Sequence, residues 1–246
     1  MFFKSRLTLA LALVLALAVS GIAYGTASLN NAQVEGDVSP TKLDKKKYKK
    51  ASLFLGVINS SDHITGTQSN PASEYISIGK NVKVDLKKAP LCPVTIPNGT
   101  PTEAAKAQCP AGSVLGSGKA EVKGPPNGSS LVAEPVVTVF NGPSLGQLQL
   151  HTYSSETGAA SPTVPATVVK SKVGAPYGQA LNVQAAPETG GITITKFNAT
   201  LGKDSGVVTA RCKSKKTPFL REVTYKDGTS ETAELVDKCK RKQPKN

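Results

Sequence analysis

The chain has 246 residues, and Lys and Arg outnumber Asp and Glu by 30 to 17, a formal net charge of +13 with His neutral. Trp is absent, aromatics make up 5% of the chain, and 22 Gly and 17 Pro are spread along it without a repeat. Such a composition argues against long helices, favours many turns, and leaves Val, Ile, Leu and Ala to build a thin core that covalent links would help to hold.

Met1 to Arg6 is a short cationic start, followed by an uncharged run from Leu7 to Val19 that is almost all Leu, Ala and Val. Ala23-Tyr24-Gly25 and Gly25-Thr26-Ala27 then offer small-x-small cleavage sites, so residues 1–27 read as a signal peptide. Leu7 to Ala23 is seventeen residues, shorter than the about 20 a spanning helix needs, which favours removal over retention as an anchor. No Cys lies at the end of the apolar run, and Lys238 to Asn246 is basic and polar. A lipid or C-terminal anchor is therefore not expected. The mature chain is expected to be secreted, with no transmembrane anchor and a charge of +11 once Lys4 and Arg6 are gone.

Residues 28–50 are polar and end in a lysine run, and read as a basic linker. A β-sandwich domain is expected over residues 51–204. It opens with Ala51 to Ile58, and period-two patterns recur at Tyr75–Ile78, Val82–Leu86, Val136–Phe140, Leu148–Tyr153 and Ile192–Phe197, each bounded by Gly, Pro or Asn. Such alternation puts one set of side chains on a buried face and the other in water. It places His151 on the solvent side with Gln149 and Tyr153. The one helical stretch, Pro101 to Ala107, is two turns at most. Residues 205–240 read as a C-terminal unit packed on the sandwich or part of it: a strand Val207–Cys212, a strand Phe219–Tyr225, an Asp227-Gly228 hairpin turn and a return to Cys239. Residues 241–246 form a basic tail. The fold class is thus all-β, an antiparallel sandwich, Ig-like in general architecture, with little helix.

Cys92, Cys109, Cys212 and Cys239 are an even set in an exported chain, which reads as two disulfides. Of three connectivities the sequential one, Cys92 with Cys109 and Cys212 with Cys239, closes two short turn-containing segments. A metal site is disfavoured because neither pair has the two-residue gap of a zinc knuckle, and no cofactor is expected.

The positive charge is concentrated. Lys42, Lys45, Lys46, Lys47, Lys49 and Lys50 form one run, Arg211, Lys213, Lys215 and Lys216 a second around Cys212, and Lys238, Lys240, Arg241, Lys242 and Lys245 a third. Taken singly, each reads as a solvated stretch that keeps the chain dispersed. Taken as binding elements, Lys45, Lys46, Lys47, Lys49, Lys50, Lys240, Arg241 and Lys242 are the candidate contacts for anionic wall or extracellular polymers. Nucleic acid ranks last as a partner because aromatics scarcely interleave with the lysines, Tyr48 alone interrupting the three runs. Oligomeric state is not legible.

Catalytic motifs are weak. Ser77-Ile78-Gly79-Lys80 has Ser-x-x-Lys spacing but sits in a strand pattern, and no Lys-Thr-Gly accompanies it. His63 and His151 lie in no triad motif, and no pair of carboxylates is nominated for glycosidic cleavage. Gly116-Ser117-Gly118 is neither a nucleophile elbow, since residue 115 is Leu, nor a phosphate nest leading into a helix; it reads as a bulge or a site of close packing.

Two motif groups stand out: Cys109-Pro110-Ala111-Gly112-Ser113 through Gly116-Ser117-Gly118 with Phe140-Asn141-Gly142-Pro143, and Ala210-Arg211-Cys212 with Tyr225 to Gly228 and Lys238-Cys239-Lys240. Over about Ala51 to Lys242 they resemble a group of uncharacterised secreted all-β proteins of actinomycete-type bacteria. The resemblance implies an all-β fold and export, and supplies no activity. The expectation is a secreted, non-enzymatic protein associated with the cell envelope or extracellular polymers through its basic segments; the alternative is a secreted hydrolase of polysaccharide or ester substrates with a site assembled from distant residues.

Overall fold

A computed structural model describes residues 32–59, 71–124, 130–158, 161–184, 193–226 and 228–241. The expected signal peptide, His63, Asp227 and Lys242 lie outside them. In chain order the strands are β1 (Ala32–Ser39), β2 (Lys42–Leu43), β3 (Lys49–Lys50), β4 (Ser52–Asn59), β5 (Pro71–Gly79), β6 (Val82–Val84), β7 (Val114–Gly124), β8 (Ser130–Ala133) and β9 (Val136–Asn141). They continue as β10 (Gln147–Tyr153), β11 (Thr163–Lys170), β12 (Tyr177–Gln184), β13 (Thr193–Leu201), β14 (Val208–Ala210), β15 (Lys216–Tyr225), β16 (Ser230–Lys238) and β17 (Lys240–Arg241). Among the described residues one α-helix, α1 (Thr102–Ala107), and a single 3-10 turn at Leu86–Lys88 lie between β6 and β7.

Twelve strands form one antiparallel sheet in the order β1-β4-β13-β7-β9-β10-β11-β12-β5-β15-β16, with β8 added on β7. The sheet curls into a sandwich whose two end strands meet. At that seam the Ala32 N–H donates to Glu231 Oε2 at 2.9 Å, and Tyr225 donates its hydroxyl to the same oxygen at 3.0 Å. Closing the seam covers two rows of backbone groups that an open sheet would offer to other strands. Val38, Leu53, Ile78, Val137, Val139, Leu148 and Phe219 are almost fully buried in the interior, so Val, Ile and Leu build the core as the composition requires.

The seam also holds a titratable group out of place. Burial, and after it the nearby Asp37 carboxylate, raise the pKa of Asp237 above its ordinary value, against hydrogen bonding by the Lys238 and Val38 backbones. A carboxyl that holds its proton more tightly folded than unfolded destabilises the fold once ionised, and this penalty vanishes as pH falls below the unfolded value. Asp237→Asn should raise the melting midpoint by about 2 °C at pH 7, and the gain should be gone at pH 3. Calorimetry at the two pH values checks it, and a variant that melts below the parent at pH 7 counts against the assignment.

Three expectations need correction. The stretch expected as a linker is largely built into the fold. Ala32–Ser39 pairs with β4 in continuous register from Ala32↔Asn59 to Ser39↔Ser52, burying Ala32, Val34 and Val38 on one face. The expected basic tail starts one residue too early, since Arg241 belongs to β17 and pairs with Leu43; of the two arrangements expected for the C-terminal unit, it is part of the sandwich, with β15 between β5 and β16 in the main sheet. Lastly, His151 and Gln149 do not face water. Both are buried, because the segment between β6 and β7, tied by the Cys92–Cys109 disulfide, folds over the outer face of β9 and β10.

That cover is held by polar side chains. Gln149 accepts from the Ile96 N–H at 2.8 Å and donates to the Val94 carbonyl at 3.0 Å. Asn141, from the Phe140-Asn141-Gly142-Pro143 motif, donates to the carbonyls of Leu86, Ala89 and Pro90 at 3.0–3.1 Å. Gly116 and Gly118 lie flush against β13: a Cβ at either would stand 2.1 or 1.9 Å from the carbonyl oxygens of Thr200 and Asn198. Between Val114 and Gly116 the β7–β9 register also shifts. The Gly-Ser-Gly element is thus a close-packed strand beside a bulge.

Candidate functional site

The three basic clusters, far apart in sequence, converge on one end of the sandwich. β2 and β17 pair in parallel, setting Lys42 beside Lys240. β14 pairs with β3 on one side and β6 on the other, so Lys50, Thr209 and Lys83 form one row. The Cys212–Cys239 disulfide ties the second cluster to the third. Backbone bonds complete the joint: the Cys212 N–H donates to the Asp44 carbonyl at 2.7 Å, Cys239 N–H to Lys215 at 3.2 Å, and Lys240 N–H to Thr41 at 2.8 Å. Arg241 donates from Nε and Nη2 to the carbonyls of Cys212 and Lys213.

Of the eight candidate contacts, Lys45, Lys46, Lys47, Lys49, Lys50, Lys240 and Arg241 are brought to this end, all exposed. Lys80, Lys83, Arg211, Lys213, Lys215 and Lys216 join them there; Lys83 was not singled out by sequence, and Lys80 only for its Ser-x-x-Lys spacing, because neither belongs to a run of lysines. At the centre is Tyr48. Lys83 Nζ and the Arg211 guanidinium each lie 4.5 Å from its ring centroid, while its hydroxyl donates to the Lys80 carbonyl at 2.7 Å. Gly178 and Gln179 close the far wall of this groove.

Little acid answers this charge. Asp44 Oδ1 accepts the Lys47 and Lys46 N–H groups at 2.7 Å each, bonds that hold its carboxyl below its ordinary pKa. That carboxylate is spent on shaping the turn. None of Lys42, Lys45, Lys46, Lys47, Lys49, Lys50, Lys80 or Lys83 takes part in the ion pairs among the described residues. Exposed like charges repel one another modestly in water, and less as salt rises, and together they raise a long-range positive field.

The opposite end is different in kind. There Leu55, Val57, Ile76, Val164, Leu181 and Val183 wall an interior cavity of about 120 Å³, with Asn59, Ser73, Glu74 and Gln184 toward its mouth. β4 leaves the basic end after Lys50 and finishes at Asn59 in the cavity wall, while β5 starts at Pro71 in that wall and finishes before Lys80. Strands of this length set the two sites about 25 Å apart.

The catalytic alternatives gain no geometry. His151 is fully buried, its Nδ1 is 2.9 Å from Thr163 Oγ1, and burial holds its pKa below the ordinary value against hydrogen bonding by the Thr100 backbone. Ser77 lies in β5 with its hydroxyl 2.9 Å from that of Ser171. Glu74, a carboxylate in the cavity wall, is held by Arg221 at 2.6 Å. Among the described residues no cluster of His, Cys, Asp and Glu could hold a metal ion, and no helix is long and apolar enough to cross a membrane. No model of a known protein family matches the chain, and no curated protein matches its sequence.

Proposed function

We propose that this is a secreted, non-catalytic protein retained on anionic polymers of the cell envelope or extracellular matrix by its basic end. The observation that carries the reading is the convergence: strand pairing and a disulfide gather three separated lysine clusters onto one face, where solvated tails would have stayed apart. Two disulfides suit the oxidising space beyond the membrane, and residues 1–27 supply the route there. A field of this kind attracts carboxylated and phosphorylated polymers alike, with retention set by ionic strength.

Chromatography of the mature chain on an immobilised anionic polysaccharide tests it. Retention at 50 mM NaCl and release well below 1 M are expected, since the screening length shrinks from about 14 Å to about 3 Å over that range. Lys46→Glu with Lys215→Glu should elute at clearly lower salt, while Lys119→Glu, on β7 away from this end, should shift elution far less. Salt-independent retention, or equal shifts from the two sets, would sink the proposal.

A further inference from the structure

We infer that the cavity at the other end is a second, separate binding site, which takes the alkyl tail of a neutral amphiphile whose hydroxyl head donates to Glu74. The walls decide the tail. They are mostly apolar, Leu, Ile and Val with Pro and Phe, and away from the polar mouth a water would lack the two to four polar partners it needs, so such space stays dry or fills with hydrocarbon. At about 120 Å³ the cavity is slightly smaller than one that holds benzene, room for roughly five or six carbons.

The mouth decides the head. Ser73 and Gln184 are paired across β5 and β12 and are exposed, marking where the cavity meets solvent. Most of the polar groups nearby are occupied. Asn59 accepts from Arg221 through Oδ1 and donates to the Ile194 carbonyl through Nδ2. Thr152 donates to the Pro162 carbonyl, and the Thr157 and Ser161 hydroxyls bond each other. Glu74 is bound by Arg221 through Oε1 alone, so, the exposed Ser73 and Gln184 at the rim aside, its second oxygen is the acceptor left on a buried side chain of the wall among the described residues. That oxygen favours a donor and repels a carboxylate. An ammonium head would donate too, but would have to give up its hydration at the mouth of an apolar cavity, which costs a neutral hydroxyl far less, and this leaves a hydroxyl as the match.

The test is a titration of the mature, methyl-labelled protein with unbranched primary alcohols from butanol to decanol, followed by NMR. Saturable shifts are expected in the methyls of Leu55, Val57, Ile76, Val164 and Leu181. Affinity should rise about fourfold per methylene up to hexanol and flatten beyond it, and hexanoate should bind at least tenfold more weakly than hexanol. Val183→Phe, which fills the mouth, should weaken hexanol at least tenfold. Raising NaCl to 0.5 M should leave alcohol binding unchanged while it loosens polyanion binding, so failure of one site is distinguishable from failure of the other. Shifts that scatter over the surface or never saturate, or hexanoate equal to hexanol, overturn the inference on the parent protein even if the variant does not fold.

Discussion

Arg221→Met should lower stability by about 3–5 kcal/mol, the largest loss expected of any single side chain here. Arg221 is fully buried, on the inward row of β15 with Phe219 and Val223. Its guanidinium bridges the two ends of the sheet, β1 and β4 on one side and β5 and β15 on the other. Nη1 donates to the carbonyls of Gln33 in β1 and Ile58 in β4, both at 3.1 Å, and Nη2 donates to Asn59 and to Glu74 in β5. Methionine fills most of the volume but leaves four acceptors without a donor, one of them a carboxylate only 11% exposed. In a chain of this size the loss corresponds to a drop of about 10 °C in the melting midpoint. Arg221→Lys should recover only a small part, because one ammonium cannot reach four acceptors spread across the planar fork. Arg221→Met with Glu74→Gln should be milder than the single change, since no unpaired charge is then left inside. Thermal melts of the three variants decide it: a lysine variant as stable as the parent, or a double variant no better than the single, would show that the guanidinium network does not hold this seam.

How far such features could be read from sequence depends on how local their cause is. Alternation along β5, β6 and β9, the Asp-Gly turn and the sequential disulfides depend on residues close in the chain, and the structure has each strand and both bridges where the pattern puts them. The alternation of β10 misled because it assumes that one face is wet; that face is covered by a segment about 50 residues earlier, through Val94 and Ile96. β1 was lost in a polar stretch because Gly36 and Asp37 break its apolar spacing, although Ala32, Val34 and Val38 carry the signal. For Arg221 the hint was an arginine on the same row as Phe219 and Val223, but its acid partner is 147 residues away. The basic end shows the same limit. Each lysine cluster was plain in the sequence, and their meeting depends on the two-residue pairings of β2 with β17 and of β3 with β14, too short to leave a pattern.

Removing the Cys212–Cys239 link by Cys212→Ala with Cys239→Ala should lower stability by about 3.5 kcal/mol on chain-entropy grounds for a loop of 27 residues, and the loss should depend on salt. Both cysteines are buried, and the bridge holds Arg211, Lys213, Lys215 and Lys216 against Lys240 and Arg241. Like charges gathered this way repel, and in the parent the covalent link keeps them together. Without it, the backbone bonds of Cys239 to Lys215 and of Arg241 to Cys212 and Lys213 must resist the repulsion alone. In 0.5 M NaCl the screening length falls to about 4 Å and the repulsion with it. The drop in melting midpoint should therefore be about 10 °C in 0.5 M NaCl and visibly larger in 10 mM NaCl. Removing Cys92–Cys109 instead, in a segment that carries little net charge, should give a loss that salt does not change. Retention on the anionic column should fall with the first link and not with the second. Equal salt responses would mean that the charges at the basic end are too far apart to act together, and the case for a common polyanion face would go with them.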